Sequence, residues 1–139
     1  RGLGDVYKRQ DDQRELMIYL LRLDTGGLHP ASSGTLIGPR GQAVHLSQAD
    51  FQVRVTRRWT SPATGAIYPL GWEIVLPGHG LQLALTASLD DQEMITTGST
   101  GVTYWEGSLS VNGLAGGVPV TGQGYMELTG YADPYAPPL

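Results

Sequence analysis

The chain has 139 residues, 40% of them hydrophobic, and a formal net charge of -4 at pH 7, which suits one folded domain and excludes a disordered chain. The nine lysines and arginines form no run longer than Arg57-Arg58, so nucleic acid is not predicted as a partner. No cysteine is present, which excludes disulfides, thiol catalysis and cysteine-ligated zinc, and no apolar run reaches the roughly 18 residues that a membrane helix needs.

The first ten residues, RGLGDVYKRQ, differ from the rest of the chain. They show neither the alternation of apolar and polar residues nor the turn signals that follow them. The string resembles translated adapter sequence of the kind found at the broken ends of metagenomic gene models. We therefore interpret residues 1–10 as a non-native segment and residues 11–139 as the domain. The alternative is an ordinary basic loop.

Glycine and proline punctuate residues 11–139 at short intervals, which is typical of many strands joined by turns. The apolar pattern predicts about nine strands and no helix. The first predicted strand is apolar in both phases, which predicts burial on both of its faces. The segment NGLAGG predicts a hairpin turn before the last strand. The predicted strands are residues 14–23, 33–38, 42–46, 51–59, 70–77, 81–87, 92–97, 102–111 and 118–131.

Strands at this spacing predict an all-β fold, either a sandwich or an up-and-down barrel. Hairpins between neighbouring strands favour the antiparallel barrel or a meander. Gly122 and Gly124, inside the last strand, predict a tight bend or a bulge that helps a barrel to close. Several large side chains fall on apolar faces and are predicted to line the barrel interior, where they pack as core or contact a ligand. They are Trp59, Trp72, Trp105 and Met126.

The last two predicted strands carry a face of tyrosines and glutamates. Because side chains alternate along a strand, antiparallel pairing of these strands brings one polar set to a single surface. That surface is a solvent-exposed sheet, a docking face for another domain, or a pair of catalytic carboxylates. The last interpretation requires a cleft and a raised pKa, and the sequence shows neither. The set is Tyr104, Glu106, Tyr125, Glu127 and Tyr131.

Other catalytic and metal-binding motifs are absent from the sequence. The spacing of His29, His45 and His79 matches no local metal motif. No serine lies in the G-x-S-x-G pattern of a nucleophile elbow. The sequence therefore predicts no metal site and no cofactor.

Six blocks of sequence occur in a fixed order between Asp11 and about Tyr131: DDQRELMIYLLR, SGTLIGPRG, WTSPATGAIYPLGW, DQE, YWEG and GYMELTGY. Together they resemble the C-terminal half of the carotenoid 1,2-hydratase/AttH-like family. The resemblance implies a lipocalin-like antiparallel β-barrel, truncated from a parent with two such barrels in tandem. It also implies an apolar isoprenoid or lipid-like ligand, bound at the junction with the missing N-terminal barrel.

Carotenoid enzymes of this family add water across a terminal double bond by protonating it, and the resemblance implies a cofactor-free hydratase parent. The residues implicated there lie mainly in the N-terminal half, so no catalytic residue is assigned to this chain. The fragment alone is expected to be inactive, and its Tyr/Glu surface is expected to meet the missing barrel. A non-enzymatic envelope lipid-binding or structural module remains the alternative, and a periplasmic or membrane-associated location of the parent stays open.

Overall fold

The structure is a computed structural model that describes residues 3–10, 13–96, 98 and 101–132. Strands dominate it, with two single-turn 3-10 helices at Gln48–Asp50 and Pro77–His79. In the part of the chain that is described, none of the helices has the length or the hydropathy of a membrane-spanning segment. The strands are β1 (Leu3–Gln10), β2 (Glu15–Leu21), β3 (Ser33–Ile37), β4 (Ala43–Ser47), β5 (Gln52–Thr60), β6 (Ile67–Leu76), β7 (Leu81–Ala87), β8 (Glu93–Ile95), β9 (Thr103–Ala115) and β10 (Val118–Thr129).

The predicted all-β class is confirmed. Each predicted strand has a counterpart among β2 to β10, and every strand pair is antiparallel. β3 and β4 pair as a hairpin across the turn that contains Pro39 and Gly41. The period-two pattern was a good guide because strands such as β2, β3, β7 and β9 turn alternate side chains into the core.

The strands form one hydrogen-bonded sheet in the order β4-β3-β2-β1-β10-β9-β7-β6-β5, and β8 pairs with β9 outside this path. β4 and β5 are its two edges. No hydrogen-bonded ladder joins these edges in the described residues, so the predicted closure into a barrel is not confirmed. The sheet nevertheless surrounds one cluster of buried apolar side chains that draws on both halves of the chain.

Residues 3–10, which belong to the segment interpreted as non-native, form β1, a strand in addition to the nine that were predicted. The backbone of β1 pairs with β10 from Gly4 opposite Leu128 to Gln10 opposite Gly122, and with β2 on its other side. Ladder hydrogen bonds join backbone groups and do not depend on the identity of the side chains. This pairing therefore does not decide the origin of residues 1–10, and their non-native origin stays a prediction.

The core lies on one face of the sheet. In β2, Leu16, Ile18 and Leu20 are buried, whereas Tyr19 on the opposite face is 37% exposed. The prediction that both faces of this strand are buried is therefore wrong. The side chains of its second apolar set are less buried because they lie on the outer face of the sheet.

The β9–β10 hairpin turns at Gly116 and Gly117, which both have positive φ. Such angles suit the two-residue turns that match strand twist. Its ladder then runs without a shift from Ala115 opposite Val118 to Tyr104 opposite Thr129. A bulge at Gly122 or Gly124 is therefore absent, whereas the predicted alternative, a tight bend, stays a prediction. The register shift falls between β5 and β6, around Val55 to Arg58.

Gly71 lies opposite Arg57 at this irregularity, and it has no room for a side chain. A Cβ on Gly71 would lie 2.8 Å from both the Arg57 Cβ and the Thr56 Oγ1. We expect Gly71→Ala to lower the free energy of unfolding by about 2 kcal/mol, because the bulge must shift to admit the methyl group. Gly78→Ala is the matched control, since nothing lies within 4 Å of its Cβ position. Equal urea midpoints for the two variants would contradict this prediction.

Candidate ligand-binding site

A cavity of about 300 Å³ opens beside the edge strand β5. Its apolar wall consists of Leu28, Val53, Val55 and Trp72, and the turn residue Gly27 borders it. This volume lies at the lower end of the range of small-molecule pockets, about 300–1,000 Å³, which are mostly apolar with a few polar groups. The arrangement can hold a small apolar ligand or the apolar part of a larger one.

The position of β5 at the sheet edge explains the cavity. Alternation turns Val53 and Val55 toward the core, but both remain only partly buried. An edge strand has a hydrogen-bonded neighbour on one side only, so among the described residues no strand pairs with β5 beyond these valines. Their apolar surface therefore lines a space that the sheet itself does not fill.

The loop after β2 supplies the opposite wall. Gly26 and Gly27 have positive φ, which glycine adopts without steric cost. The chain turns back there, with the Leu23 N–H donating to the Gly27 carbonyl at 3.0 Å and an isolated bridge pairing Arg22 with Leu28. Leu28 is thereby brought against the core and faces the cavity.

Trp72 forms the inner wall and is held firmly. It is 2% exposed, and its indole Nε1 donates a hydrogen bond of 2.9 Å to the carbonyl of Pro69. A buried indole N–H needs such a partner, and the bond fixes the orientation of the ring. The cavity therefore has a preformed aromatic surface.

Two arginines, Arg54 and Arg58, supply the charged groups of the cavity lining. Arg54 forms an ion pair with Glu73 at 3.1 Å, between side chains that are 67% and 44% exposed. Guanidinium groups stay protonated in proteins and donate hydrogen bonds, so these side chains can bind anions but cannot act as acids in catalysis.

An aromatic cluster lies at the end of the sheet where β2, β5 and β10 finish. Tyr68 is fully buried and stacks on Trp59, with ring centroids 6.2 Å apart, and it also contacts Tyr131 at 5.9 Å. The guanidinium carbon of Arg22 lies 3.7 Å from the centre of the Tyr131 ring, a cation–π contact. Burial raises the pKa of Tyr131, against the opposing effect of Arg22 and Arg58.

Glu93 in β8 accepts hydrogen bonds from three hydroxyl groups. Ser61 donates at 2.6 Å, Tyr68 at 2.6 Å and Thr64 at 2.8 Å. Burial raises the pKa of Glu93, but the three hydrogen bonds lower it by more, so the net pKa is lowered. Burial, together with the bond to Glu93, raises the pKa of Tyr68. The carboxylate stays charged and anchors the loop that carries Ser61 and Thr64.

The outer face of β9 and β10 brings together most of the predicted Tyr/Glu set. Glu106 lies directly opposite Glu127, and Tyr104 lies opposite Thr129 in the same ladder. The hydroxyl group of Tyr125 donates to the Glu106 carboxylate, and this bond raises the pKa of Tyr125 to about 12. Tyr125 itself is 46% exposed. The face is therefore a polar and aromatic surface open to solvent.

Tyr131 does not join that face. The strand ends at Thr129, and Gly130 has a φ of 79°, so the alternation on which the prediction rested stops there. The chain then places Tyr131 against the core, beside Tyr68 and Arg22. The expectation that Tyr131 shares a surface with Tyr125 and Glu127 is corrected accordingly.

The side chains predicted for the interior pack into or against the core. Trp72, Trp105 and Met126 are at most 2% exposed, and Trp59 is partly buried against the same cluster. The Trp105 Nε1 donates a hydrogen bond of 2.7 Å to the Asp90 carbonyl. Of these residues, Trp72 alone lines the cavity beside β5.

The three histidines lie in different elements of the fold. His29 lies in the loop after β2, where its Nδ1 accepts a hydrogen bond of 3.0 Å from the Ala31 N–H, which stabilises the turn. His45 lies in the edge strand β4 and His79 in a 3-10 helix. Within the described ranges, no three histidine, aspartate or glutamate side chains lie close enough together to share a metal ion.

The Glu93 cluster and the cavity were not predicted from the sequence. The partners of Glu93 lie between 25 and 32 residues away along the chain, in a loop and in another strand. The sequence offered one signal, a turn rich in hydroxyl residues (SPATG, residues 61–65), but nothing in its spacing showed which acid it meets.

Comparison with known proteins places these features in a family. Kievitone hydratase of Fusarium solani subsp. phaseoli is 37% identical over 73 residues, which are 52% of this chain and 20% of that protein. The crystal structure of an AttH of Nitrosomonas europaea superposes with a TM-score of 0.81 at 28% identity, over 94% of this chain and 38% of that one. The crystal structure of kievitone hydratase from Nectria haematococca gives a TM-score of 0.75 at 18% identity, which shows a shared fold.

The chain spans less than half of each of these proteins, since it covers 40% of the Nectria haematococca enzyme. The sequence profile of the AttH-like family matches residues 9–131, most of the chain. The family suggested by the sequence blocks is therefore confirmed. The chain belongs to the AttH-like family.

Proposed function

We propose that this chain is the C-terminal, lipocalin-like barrel domain of a longer hydratase-like protein and that it binds an apolar isoprenoid or lipid-like ligand. The observation that carries the proposal is the preformed cavity beside β5, with its wall of Leu28, Val53, Val55 and Trp72. The similarity of the chain to kievitone hydratase supports its assignment to a hydratase-like protein. An apolar wall of this kind favours a ligand with extended hydrocarbon surface.

In this proposal the chain binds and orients the ligand and does not protonate it. Hydration of a carbon–carbon double bond needs a proton donor near one carbon and water near the other. The charged residues of the cavity are Arg54 and Arg58, which are donors of hydrogen bonds and not of protons. Glu93 is an ionised acceptor of three hydrogen bonds. The proton donor is therefore assigned to the rest of the longer protein.

We assign the outer face of β9 and β10 to the docking of that remaining barrel. Glu106 and Glu127 lie directly opposite each other, so two carboxylates share this face. Cationic side chains of a partner would complement them. The exposed Tyr125 and Met94 offer it aromatic and apolar contact area.

Binding of the neutral, lipophilic dye Nile red to the purified chain tests the cavity. We expect saturable fluorescence enhancement in the wild type. Val55→Trp should weaken it at least about tenfold, because the added ring occupies the cavity. Val53→Phe is a smaller filling substitution for the case that Val55→Trp fails to fold. Gln52→Trp is the matched control, since Gln52 is exposed on the same strand.

Unchanged binding by both filling variants would contradict ligand binding in this cavity. Incubation with an acyclic carotenoid then distinguishes a chain that catalyses hydration from a chain that only carries the ligand. A product heavier by one water would identify a hydratase that needs only this chain. Binding without product supports either a hydratase whose proton donor lies in the other barrel or the non-enzymatic carrier. The longer protein, with both barrels, distinguishes these two in the same assay.

A further inference from the structure

Arg58 differs from the other arginines of β5. Arg54 is paired with Glu73 at 3.1 Å, and Arg57 is paired with Asp90 at 2.8 Å. Arg58 is exposed, lines the cavity, and has no ion pair with any residue that the structure describes. Its charge is therefore available to a molecule that enters the cavity.

A second guanidinium group, that of Arg22, lies in the same region as Arg58. Arg22 and Arg58 both act electrostatically on Tyr131, so the two guanidinium groups share one region of the fold. Arg22 is 5% exposed and lies over the Tyr131 ring, where little water screens it. Glu73, the acidic partner of Arg54, is engaged by that pair. The electrostatic attraction for an anion at the cavity therefore comes from Arg58 itself.

The cavity joins this charge to an apolar wall. Val53, Val55 and Leu28 supply aliphatic surface and Trp72 supplies an aromatic ring, within the same space of about 300 Å³. A neutral hydrocarbon would contact the apolar wall only and would leave the exposed Arg58 guanidinium to water. A molecule with an apolar body and an anionic head would satisfy both parts.

We propose that the ligand of this cavity is an amphiphile with an anionic head group, carboxylate or phosphate, which Arg58 binds while its hydrocarbon chain lies against Val53, Val55 and Trp72. This inference rests on the proposed ligand-binding function and narrows its substrate class. Arg58 is the specificity-determining residue, because it distinguishes a charged head from a neutral one of similar size. Charge-assisted hydrogen bonds to a guanidinium are among the strongest that a protein offers a carboxylate or a phosphate.

The test compares three ligands with the same alkyl chain: dodecanoate and dodecyl phosphate below their micelle concentrations, and dodecan-1-ol below its solubility limit. Dissociation constants are measured by titration calorimetry on the full 139-residue chain at low salt. We expect the wild type to bind at least one of the anions at least about tenfold more tightly than the alcohol, as a charge-assisted hydrogen bond predicts. Arg58→Gln should reduce this preference to less than about twofold and leave the affinity for dodecan-1-ol unchanged.

Arg54→Gln is the matched control, because Arg54 lines the same cavity but already has an acidic partner. It should keep the preference for the anion. If Arg58→Gln does not fold, Arg58→Lys tests the same point: it keeps a charge but loses the bidentate fork, so a reduced preference is expected. The ratio of the affinities for dodecanoate and dodecyl phosphate identifies which head group the site favours.

Equal affinity of the wild type for both anions and the alcohol would overturn this inference while leaving apolar binding intact. Retention of the full preference in Arg58→Gln would overturn it as well. Failure of all three ligands to bind, together with failure of Nile red, would instead overturn the proposed function itself. The same titrations therefore test ligand binding by the cavity and recognition of an anionic head group by Arg58 separately.

Discussion

Replacing Trp105 with alanine is expected to lower the free energy of unfolding by about 4 kcal/mol, since removal of a fully buried tryptophan leaves a large cavity. The ring is 0% exposed, and its Nε1 donates to the Asp90 carbonyl at 2.7 Å. It also lies over Gly107, where a Cβ would come within 2.9 Å of the Trp105 Cη2. The ring therefore links β9 to the loop that precedes β8, and its loss should loosen both.

Urea unfolding of the wild type and the variant, followed by circular dichroism, measures this loss. Trp105→Phe should cost roughly 2 kcal/mol, because it keeps much of the packing but leaves the Asp90 carbonyl without its donor. Val102→Ala serves as the surface control, since Val102 is 49% exposed and should change stability by less than about 0.5 kcal/mol. If Trp105→Ala lowers the free energy of unfolding by less than about 1 kcal/mol, the prediction is wrong and the ring does not belong to the part of the core that unfolds cooperatively.

The local pattern of the sequence was sufficient for the strands and for the inner face of the sheet. In β7 the buried residues Leu81, Leu83 and Leu85 alternate with exposed ones, which is the simplest form of the period-two signal. Trp105 and Met126 were assigned to the core in the same way, and both are fully buried. Such predictions need only the direction in which each side chain points.

Features that depend on the position of a strand within the sheet were not predictable in this way. The cavity exists because β5 is an edge strand, and the sequence of β5 alternates as an inner strand would. The closure of the barrel depends on whether β4 and β5 pair, which no local pattern encodes. Tyr131 was misplaced because Gly130 ends the alternation, and a glycine at a strand end gives no advance sign of its φ.

The Glu93 network shows the same limit for a polar cluster. In the sequence, Glu93 ends the acidic run Asp90-Asp91-Gln92-Glu93, and nothing in that run indicates a partner for its carboxylate. In the fold, its carboxylate meets three hydroxyl groups from a loop and from β6. Tertiary contact between distant segments decides the environment of such a group, and its chemistry follows from the partners that it finds.

Substitution of Glu93 by alanine is expected to lower the free energy of unfolding by roughly 3 kcal/mol. Each hydrogen bond to a charged group contributes about 1.5–3 kcal/mol, and the three bonds are not additive because they share one carboxylate. Ser61 and Tyr68, at 2% and 0% exposure, would lose their acceptor inside the protein. Glu93→Gln should cost less, roughly 1–2 kcal/mol, since the amide oxygen still accepts but carries no charge.

The pH dependence identifies the ionised carboxylate as the source of this stability. The pKa of Glu93 is lowered in the folded state from its ordinary value of 4.5. As the pH falls below 4.5, the unfolded chain therefore binds more protons at this residue than the folded chain does. The stability that Glu93 contributes is therefore fully present above that value and is lost as the pH falls through the folded pKa. The difference between wild type and Glu93→Gln should be constant at neutral pH and should shrink in acid.

Glu73→Gln is the control for a carboxylate whose partner is exposed, and it should cost less than about 1 kcal/mol. If Glu93→Gln matches the wild type in stability at neutral pH, the hydroxyl groups contribute no net stabilisation and the anchoring role is wrong. If it also abolishes turnover by the longer protein, Glu93 acts in the chemistry instead. A stability loss with ligand binding preserved after refolding would establish that this carboxylate holds the loop at residues 61–66 and leaves recognition to the cavity beside β5.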